Sequence, residues 1–177
     1  MNIFYVDKNP IVAAQMMVNS HVVKMILESA QLLSTAHRLL DGTMYIEVSP
    51  KGRKIKRWRL DDSRNDVLYH ATHVNHPSAV WVRESAFNYS WLYNHFIGLL
   101  DEYTYRYGKT HKCDSMRSSL QMIPKNISAV PFFDPPPAMD KKYIVSEDSV
   151  TNYRNYYKVG KTHLHKWKKR EVPSWMT

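Results

Sequence analysis

Between Pro77 and Gly108 run thirty residues with no proline and one glycine, Gly98. A stretch that long is readable as one helix of roughly 45 Å, at about 1.5 Å rise per residue. Trp81, Ser85, Asn88, Leu92, His95, Leu99, Glu102 and Arg106 recur along it at heptad-like spacing, and Gly108 is a natural stop. A second helical pattern, Val22, Ile26, Leu33, Ala36 and Leu40, spans about His21–Leu40 and ends at Asp41-Gly42. Two long helices need each other's apolar faces covered, because packing rather than propensity stabilises helices in water. The expected fold class is therefore mainly α: a single compact helical domain over residues 1–177, with a small basic β-hairpin.

The rest of the chain is punctuated more finely. Asn9-Pro10 reads as the N-cap and first position of a short helix, since proline lacks the N–H that this position leaves unpaired. Asn19-Ser20 marks an interruption. Thr43–Val48 and Arg53–Leu60 flank Ser49-Pro-Lys-Gly52 as the arms of a hairpin, an insertion over about 43–60. Asp61–Ala71 and Ser115–Met122 are candidate short helices, and His76-Pro77 opens a new element. Pro131-Phe-Phe-Asp-Pro-Pro-Pro137 is predicted to run as a stiff strap over the core. Ser146 is expected to cap a last helix, Glu147–Lys158, within a C-terminal segment of about 146–177.

A chain of 177 residues buries roughly 70% of its unfolded surface and needs no covalent staples. The one cysteine, Cys113, has no internal partner, which points to a reducing compartment. No apolar run approaches the ~18 residues of a membrane span. Met1–Asp7 lacks the basic start of a signal peptide.

Lys and Arg number 25 against 16 Asp and Glu, alongside twelve Tyr and five Trp. Cations for phosphates and flat rings for bases are what single-strand or damaged-base binding requires. Thirteen of the 25 cations fall in two acid-free stretches. The first is the second arm of the hairpin: Lys51, Arg53, Lys54, Lys56, Arg57 and Arg59. Strand alternation sends Arg53, Arg57 and Arg59 to one face and Lys54, Lys56 and Trp58 to the other, so the ribbon is not buried. It suits a phosphate backbone or a groove, or equally a solvated edge whose charges block pairing. The second runs from Tyr153 to Arg170. There Arg154, Lys158, Lys161, Lys166, Lys168, Lys169 and Arg170 interleave with Tyr153, Tyr156, Tyr157 and Trp167. The alternative is that Tyr153 and Tyr157 pack inward and the cations are ordinary surface.

On the 21–40 helix, His21, Lys24, Glu28, Gln31, Thr35 and Arg38 recur at spacings of three and four and share one face. Lys24 and Glu28 would form an ordinary solvated pair. Alternatively His21, Lys24 and Glu28 line a cleft, Glu28 as general acid or base and Lys24 as an amine that attacks a sugar carbon. That requires them to converge on a cleft beside the hairpin. His70, His73 and His76 invite a metal, but positions i, i+3 and i+6 sweep too far round a helix to meet one ion. No metal or other cofactor is assigned. The Asn88, His95, Glu102 and Arg106 series suggests a buried hydrogen-bonded network facing the 21–40 helix.

Across most of its length the chain resembles small proteins encoded by tailed bacteriophages. The likeness rests on His21-Val-Val-Lys-Met-Ile-Leu-Glu-Ser-Ala-Gln31, Ser34-Thr-Ala-His37, Asn75-His-Pro77, Trp81-Val-Arg-Glu-Ser85, Glu102-Tyr-Thr-Tyr-Arg-Tyr-Gly-Lys109 and Tyr153-Arg-Asn-Tyr-Tyr157. More distantly, the order of its features is similar to that of the phage pyrimidine-dimer DNA glycosylases. These are small basic helical enzymes with a short N-terminal segment and a helix bearing a catalytic Glu. A long helix then ends in an Arg-aromatic-Gly turn, here Arg106-Tyr-Gly108, and the C-terminus is aromatic and basic. That resemblance implies a DNA base-excision N-glycosylase, with or without abasic-site lyase activity, acting in the host cytoplasm. In that family a free N-terminal amine attacks the sugar C1′. Here Asn2 follows Met1 and is larger than the residues that permit Met removal, so the amine belongs to Met1. Local alignment puts Lys24 where the family's Glu stands, with Glu28 one turn later, so the acid role passes to Glu28 by function. The nucleophile is then the Met1 amine or Lys24, with His21 orienting or relaying a proton. Two other readings stand beside this one. One is a non-enzymatic phage accessory protein binding host nucleic acid or a host protein. The other is a metal-dependent enzyme using His70, His73 and His76.

Overall fold

The computed structural model describes all 177 residues and is mainly α-helical, as the hydrophobic periodicity predicts. The elements are α1 (Pro10–Met16), α2 (Asn19–Asp41), β1 (Thr43–Val48), β2 (Lys54–Arg59), α3 (Arg64–Val67), α4 (Pro77–Glu84), α5 (Ala86–Tyr107), α6 (Arg117–Gln121) and α7 (Ser149–Gly160), joined by short 3₁₀ turns. α5 packs on α1 and α2, and α2 packs on α4. One cluster of 32 buried apolar residues fills the space between them. Its largest fully buried members include Trp81, Tyr89, Phe96, Tyr153 and Tyr157. Each such side chain contributes roughly 1.5–3 kcal/mol by leaving water. Gly98 is the point of closest approach: a Cβ there would stand 3.1 Å from both Ala14 Cβ and Ile11 Cδ1. Gly108 ends α5 in the left-handed conformation, φ 65°, as its sequence position predicts.

The single helix expected over Ser78–Tyr107 is two helices, broken at Ser85. That residue is extended, φ −148° and ψ 137°. Its hydroxyl accepts the N–H of Phe87 and donates to the carbonyl of Val130. The N–H of Ala86 turns to Ser128 O at 2.8 Å. The segment leading into the strap thus supplies partners that an unbroken helix would have supplied internally. The strap itself crosses the core as predicted. Phe133 O accepts from Trp81 Nε1, Pro135 O from Ser149 Oγ and Pro136 O from the Tyr153 hydroxyl, at 2.7–3.0 Å.

Other boundaries differ for identifiable reasons. α2 begins at Asn19, so Asn19-Ser20 is its first turn rather than an interruption. Only Arg64–Val67 of the Asp61–Ala71 segment is helical. Arg38 captures the carbonyls of Asn65, Leu68 and Tyr69 at 2.7 Å each, and holds the chain extended beyond. α7 is capped by Asp148, not Ser146: its carboxylate accepts Thr151 N–H at 2.7 Å. Arg53 lies in the turn rather than in β2, its N–H on Ser49 Oγ at 3.0 Å.

The hairpin pairs as expected, with Thr43 opposite Arg59 and Val48 opposite Lys54. All of β1 is exposed. Asn88, His95, Glu102 and Arg106 are indeed buried and bonded, but they do not face α2's apolar stripe. His95 Nδ1 donates to Pro10 O at 2.8 Å and Arg106 to Gln15 O at 2.9 Å, both on α1. Glu102 takes Arg106 at 2.6 Å and Arg170 of the C-terminal tail at 2.8 Å. Only Arg106 reaches α2, at its first residue Asn19; α1 takes His95 and Arg106, and Asn88 bonds Trp81 O and Phe133 N–H instead.

Candidate functional site

The first five residues are folded into a turn against α2. Asn2 Oδ1 accepts the N–H groups of Ile3 and Phe4 at 2.8 and 2.9 Å, while its Nδ2 donates to Ala138 O at 2.8 Å. Phe4 takes φ 55°, a left-handed conformation that costs a non-glycine residue about 1–3 kcal/mol. The ring it directs inward stacks on His21 at 4.2 Å between centroids, with Tyr156 at 6.0 Å on a near-parallel plane.

This turn delivers the N-terminus to Glu28. Oε2 of Glu28 accepts the backbone N–H of Asn2 at 2.9 Å, and Oε1 lies 3.4 Å from Lys24 Nζ. The Glu28 side chain is 13% exposed and that of Lys24 68%. A largely desolvated carboxylate therefore sits between the start of the chain and a solvated ammonium. His76, the N-cap of α4, belongs to the same neighbourhood: its Nδ1 accepts Ser78 N–H at 3.2 Å. Burial lowers its proton affinity, and the positive amine of Met1 and then His73 lower it further, opposed by Glu28.

Beneath this surface His21 is internal. Its Nδ1 and the Tyr157 hydroxyl are 2.6 Å apart. Burial holds the imidazole down to about pKa 3, and the charges of Lys161, Lys24 and His163 push the same way. At neutral pH His21 is uncharged and supports the Phe4 ring. Thr35 and Arg38 are also buried, so the polar face of α2 is not a solvated stripe: only its Lys24 stands open. Nor do His21, Lys24 and Glu28 converge on a cleft beside the hairpin. The five principal cavities hold about 300–540 Å³, and none is lined by these three residues. The hairpin is anchored ten residues along α2 from Glu28, where Arg38 Nη1 binds Trp58 O at 2.9 Å.

The cations predicted to bind nucleic acid divide into two sets. On the hairpin, Arg53, Lys54, Lys56 and Arg59 are exposed and unpaired, whereas Arg57 is bonded to Glu47. The antiparallel register places Glu47 and Arg57 on one face, a neutralisation hidden from a reading of the second arm alone. In the C-terminal segment Arg154 donates to Val6 O at 2.8 Å and pairs with Asp7. Tyr157 is wholly buried. Trp167 Nε1 donates to Met16 O at 2.9 Å, and Arg170 pairs with Glu102. These four fasten the tail to the core. Lys161 lies over Tyr156 at 4.8 Å, Lys168 over Tyr107 at 5.4 Å, and Lys169 Nζ donates to Tyr105 O at 2.9 Å.

His70, His73 and His76 do not converge, and no three His, Cys, Asp or Glu side chains lie close enough together to hold a metal ion. No helix is long and apolar enough to cross a membrane. The sequence reading missed Asn2 and Phe4, whose turn builds the site; the clue was an Asn two residues before an aromatic, the Asx pattern that captures following N–H groups. No family model, no curated protein and no solved structure matches the chain.

Proposed function

We propose that the protein is a DNA base-excision N-glycosylase that works through an amine, with Glu28 as its acid–base group. The observation that carries this reading is the Glu28 carboxylate, which accepts the Asn2 N–H at 2.9 Å, next in the chain to Met1, and lies 3.4 Å from Lys24 Nζ. In such a reaction the amine, its proton passed to the carboxylate, attacks the sugar C1′. The C1′–N bond breaks, and its electron pair leaves with the base, which takes a proton. Opening of the sugar ring then gives an imine to the protein. The resemblance to a family that attacks with its N-terminal amine favours Met1 as nucleophile and leaves the exposed Lys24 as phosphate contact. Reaching C1′ requires the nucleotide out of the stack. Tyr156 and Lys161, lying over the buried Phe4 ring, form the adjoining aromatic and basic surface.

The test is borohydride reduction in the presence of duplex DNA holding an abasic site. A covalent protein–DNA adduct is expected, lost on acetylation of the N-terminus and reduced at least a hundredfold in Glu28→Gln. Lys24→Ala should weaken DNA binding but leave trapping at saturating DNA. That Glu28 lines none of the five principal cavities favours a second reading, a non-enzymatic nucleic-acid-binding protein. Under it no adduct forms, Glu28→Gln binds as the wild type does, and the exposed hairpin cations carry the affinity.

A further inference from the structure

On the flank of α2 next to Lys24, a groove of about 430 Å³ is lined by Val23, Tyr103, Tyr107, Lys109 and Lys168. Three separate parts of the chain form its walls: α2, the end of α5, and the C-terminal tail. Asn19 locks them together. Its Oδ1 accepts from Arg106 Nη1 at 3.0 Å and from Lys168 N–H at 2.8 Å, and its backbone carbonyl accepts from the Tyr107 hydroxyl at 3.3 Å. The two tyrosines lie one helical turn apart with ring centroids 5.1 Å from each other, and Tyr103 is held edge-on by His111 at 5.2 Å. Two lysines and no carboxylate border them.

From these walls we infer that the groove binds one nucleotide of single-stranded DNA, its base stacked on Tyr103 with the Tyr107 ring, tilted 49° to it, at the base's edge, and its phosphate held by Lys109 and Lys168. Preset aromatic faces with cations at the rim are how sequence-tolerant single-strand sites work, and each stacked base contributes on the order of 1–3 kcal/mol. A cavity of this size admits one nucleotide and excludes a duplex. The proposal rests on the glycosylase reading for the identity of the strand. Val23 and Glu28 are five residues apart on α2, about 7.5 Å along its axis but about 140° round it, so the groove opens on a different flank from Glu28.

The experiment measures anisotropy of a labelled, lesion-free single-stranded oligonucleotide across a salt series, with thermal melts confirming that each variant is folded. Lys109→Glu with Lys168→Glu is expected to weaken binding at least tenfold and to reduce the slope of log affinity against log salt by about 0.7, the contribution of one neutralised single-strand phosphate. Val23→Trp fills the groove without changing charge; it should weaken binding at least fivefold and leave the slope unchanged. Wild-type binding by Val23→Trp overturns the proposal, because the lysines would then act as plain surface charge. So does an unchanged affinity in the lysine variant. Lesion-free DNA forms no imine, so groove-dependent binding with no borohydride adduct supports the groove and removes only the enzyme reading.

Discussion

Arg38 is 2% exposed and has no carboxylate partner, yet its guanidinium donates five hydrogen bonds, four to backbone carbonyls and one to Asn65 Oδ1. A buried cation is tolerated only when its donors are all used. Lysine offers three donors from one atom and cannot span the carbonyls of Trp58, Asn65, Leu68 and Tyr69 at once. Arg38→Lys is therefore expected to cost about 3 kcal/mol in urea denaturation, with hydrogen exchange rising first over residues 60–72. Glu28 presents the opposite case. It holds a backbone N–H and an exposed lysine, so Glu28→Gln keeps an acceptor for Asn2 and should change stability by less than about 1 kcal/mol. Loss of borohydride trapping in that variant would then report chemistry rather than unfolding.

At the scale of elements, Ser85 and the hairpin make distinct demands. Ser85→Ala removes the cap of α5 together with the bond to Val130, and should cost about 2 kcal/mol while loosening the strap around 128–133 in hydrogen exchange. Reversing Arg53, Lys54, Lys56 and Arg59 touches no buried contact, so the melting temperature should stay within a few degrees. If the ribbon follows a duplex backbone, the salt slope of DNA binding should fall by up to about 3.6, at about 0.9 per phosphate. An unchanged slope would reduce the ribbon to a solvated edge. The same elements show what a linear reading can see. Helix faces, the hairpin and the strap were legible because their signals are local: apolar period, proline, glycine and turn residues. The break at Ser85 was not, since a serine cap inside an apolar run is decided by whether Ser128 and Val130 arrive from forty residues away. The site was legible in Lys24 and Glu28 but not in Asn2, His76 or the Tyr103–Tyr107 groove. Those are joined only when the N-terminus, the segment before α4 and the tail fold back onto α2. Arg57, Arg154 and Arg170 read as free cations for the same reason, their acids lying on β1, in the segment before α1 and on α5.

For the molecule as a whole, three histidines set the response to acid. His37 takes the Arg64 guanidinium on Nδ1 at 2.8 Å, which requires an unprotonated nitrogen, and is joined through Nε2 to the Tyr89 hydroxyl at 2.8 Å. His95 is enclosed, with Nδ1 on Pro10 O and Nε2 unpartnered. Burial, foremost in each case, lowers His21 to about 3 and His37 and His95 to about 4, against about 6.5 in an unfolded chain. A depressed histidine pKa means that the unfolded state binds the proton first. Stability is full above pH 6.5 and falls as pH drops toward 4. With three such groups the slope near pH 5 approaches about 4 kcal/mol per pH unit, each proton accounting for about 1.36. Against a typical total of roughly 5–15 kcal/mol, that removes a large share of the stability by about pH 4. Urea denaturation at pH 7, 6 and 5 measures the slope. Asn can reproduce the donor of His95 Nδ1 without titrating, so His95→Asn should lose some stability at pH 7 and flatten the acid slope by about a third. A slope that stays as steep would mean that His95 is already protonated in the fold, and that its place between Trp91 and α1 is not the neutral one the geometry describes.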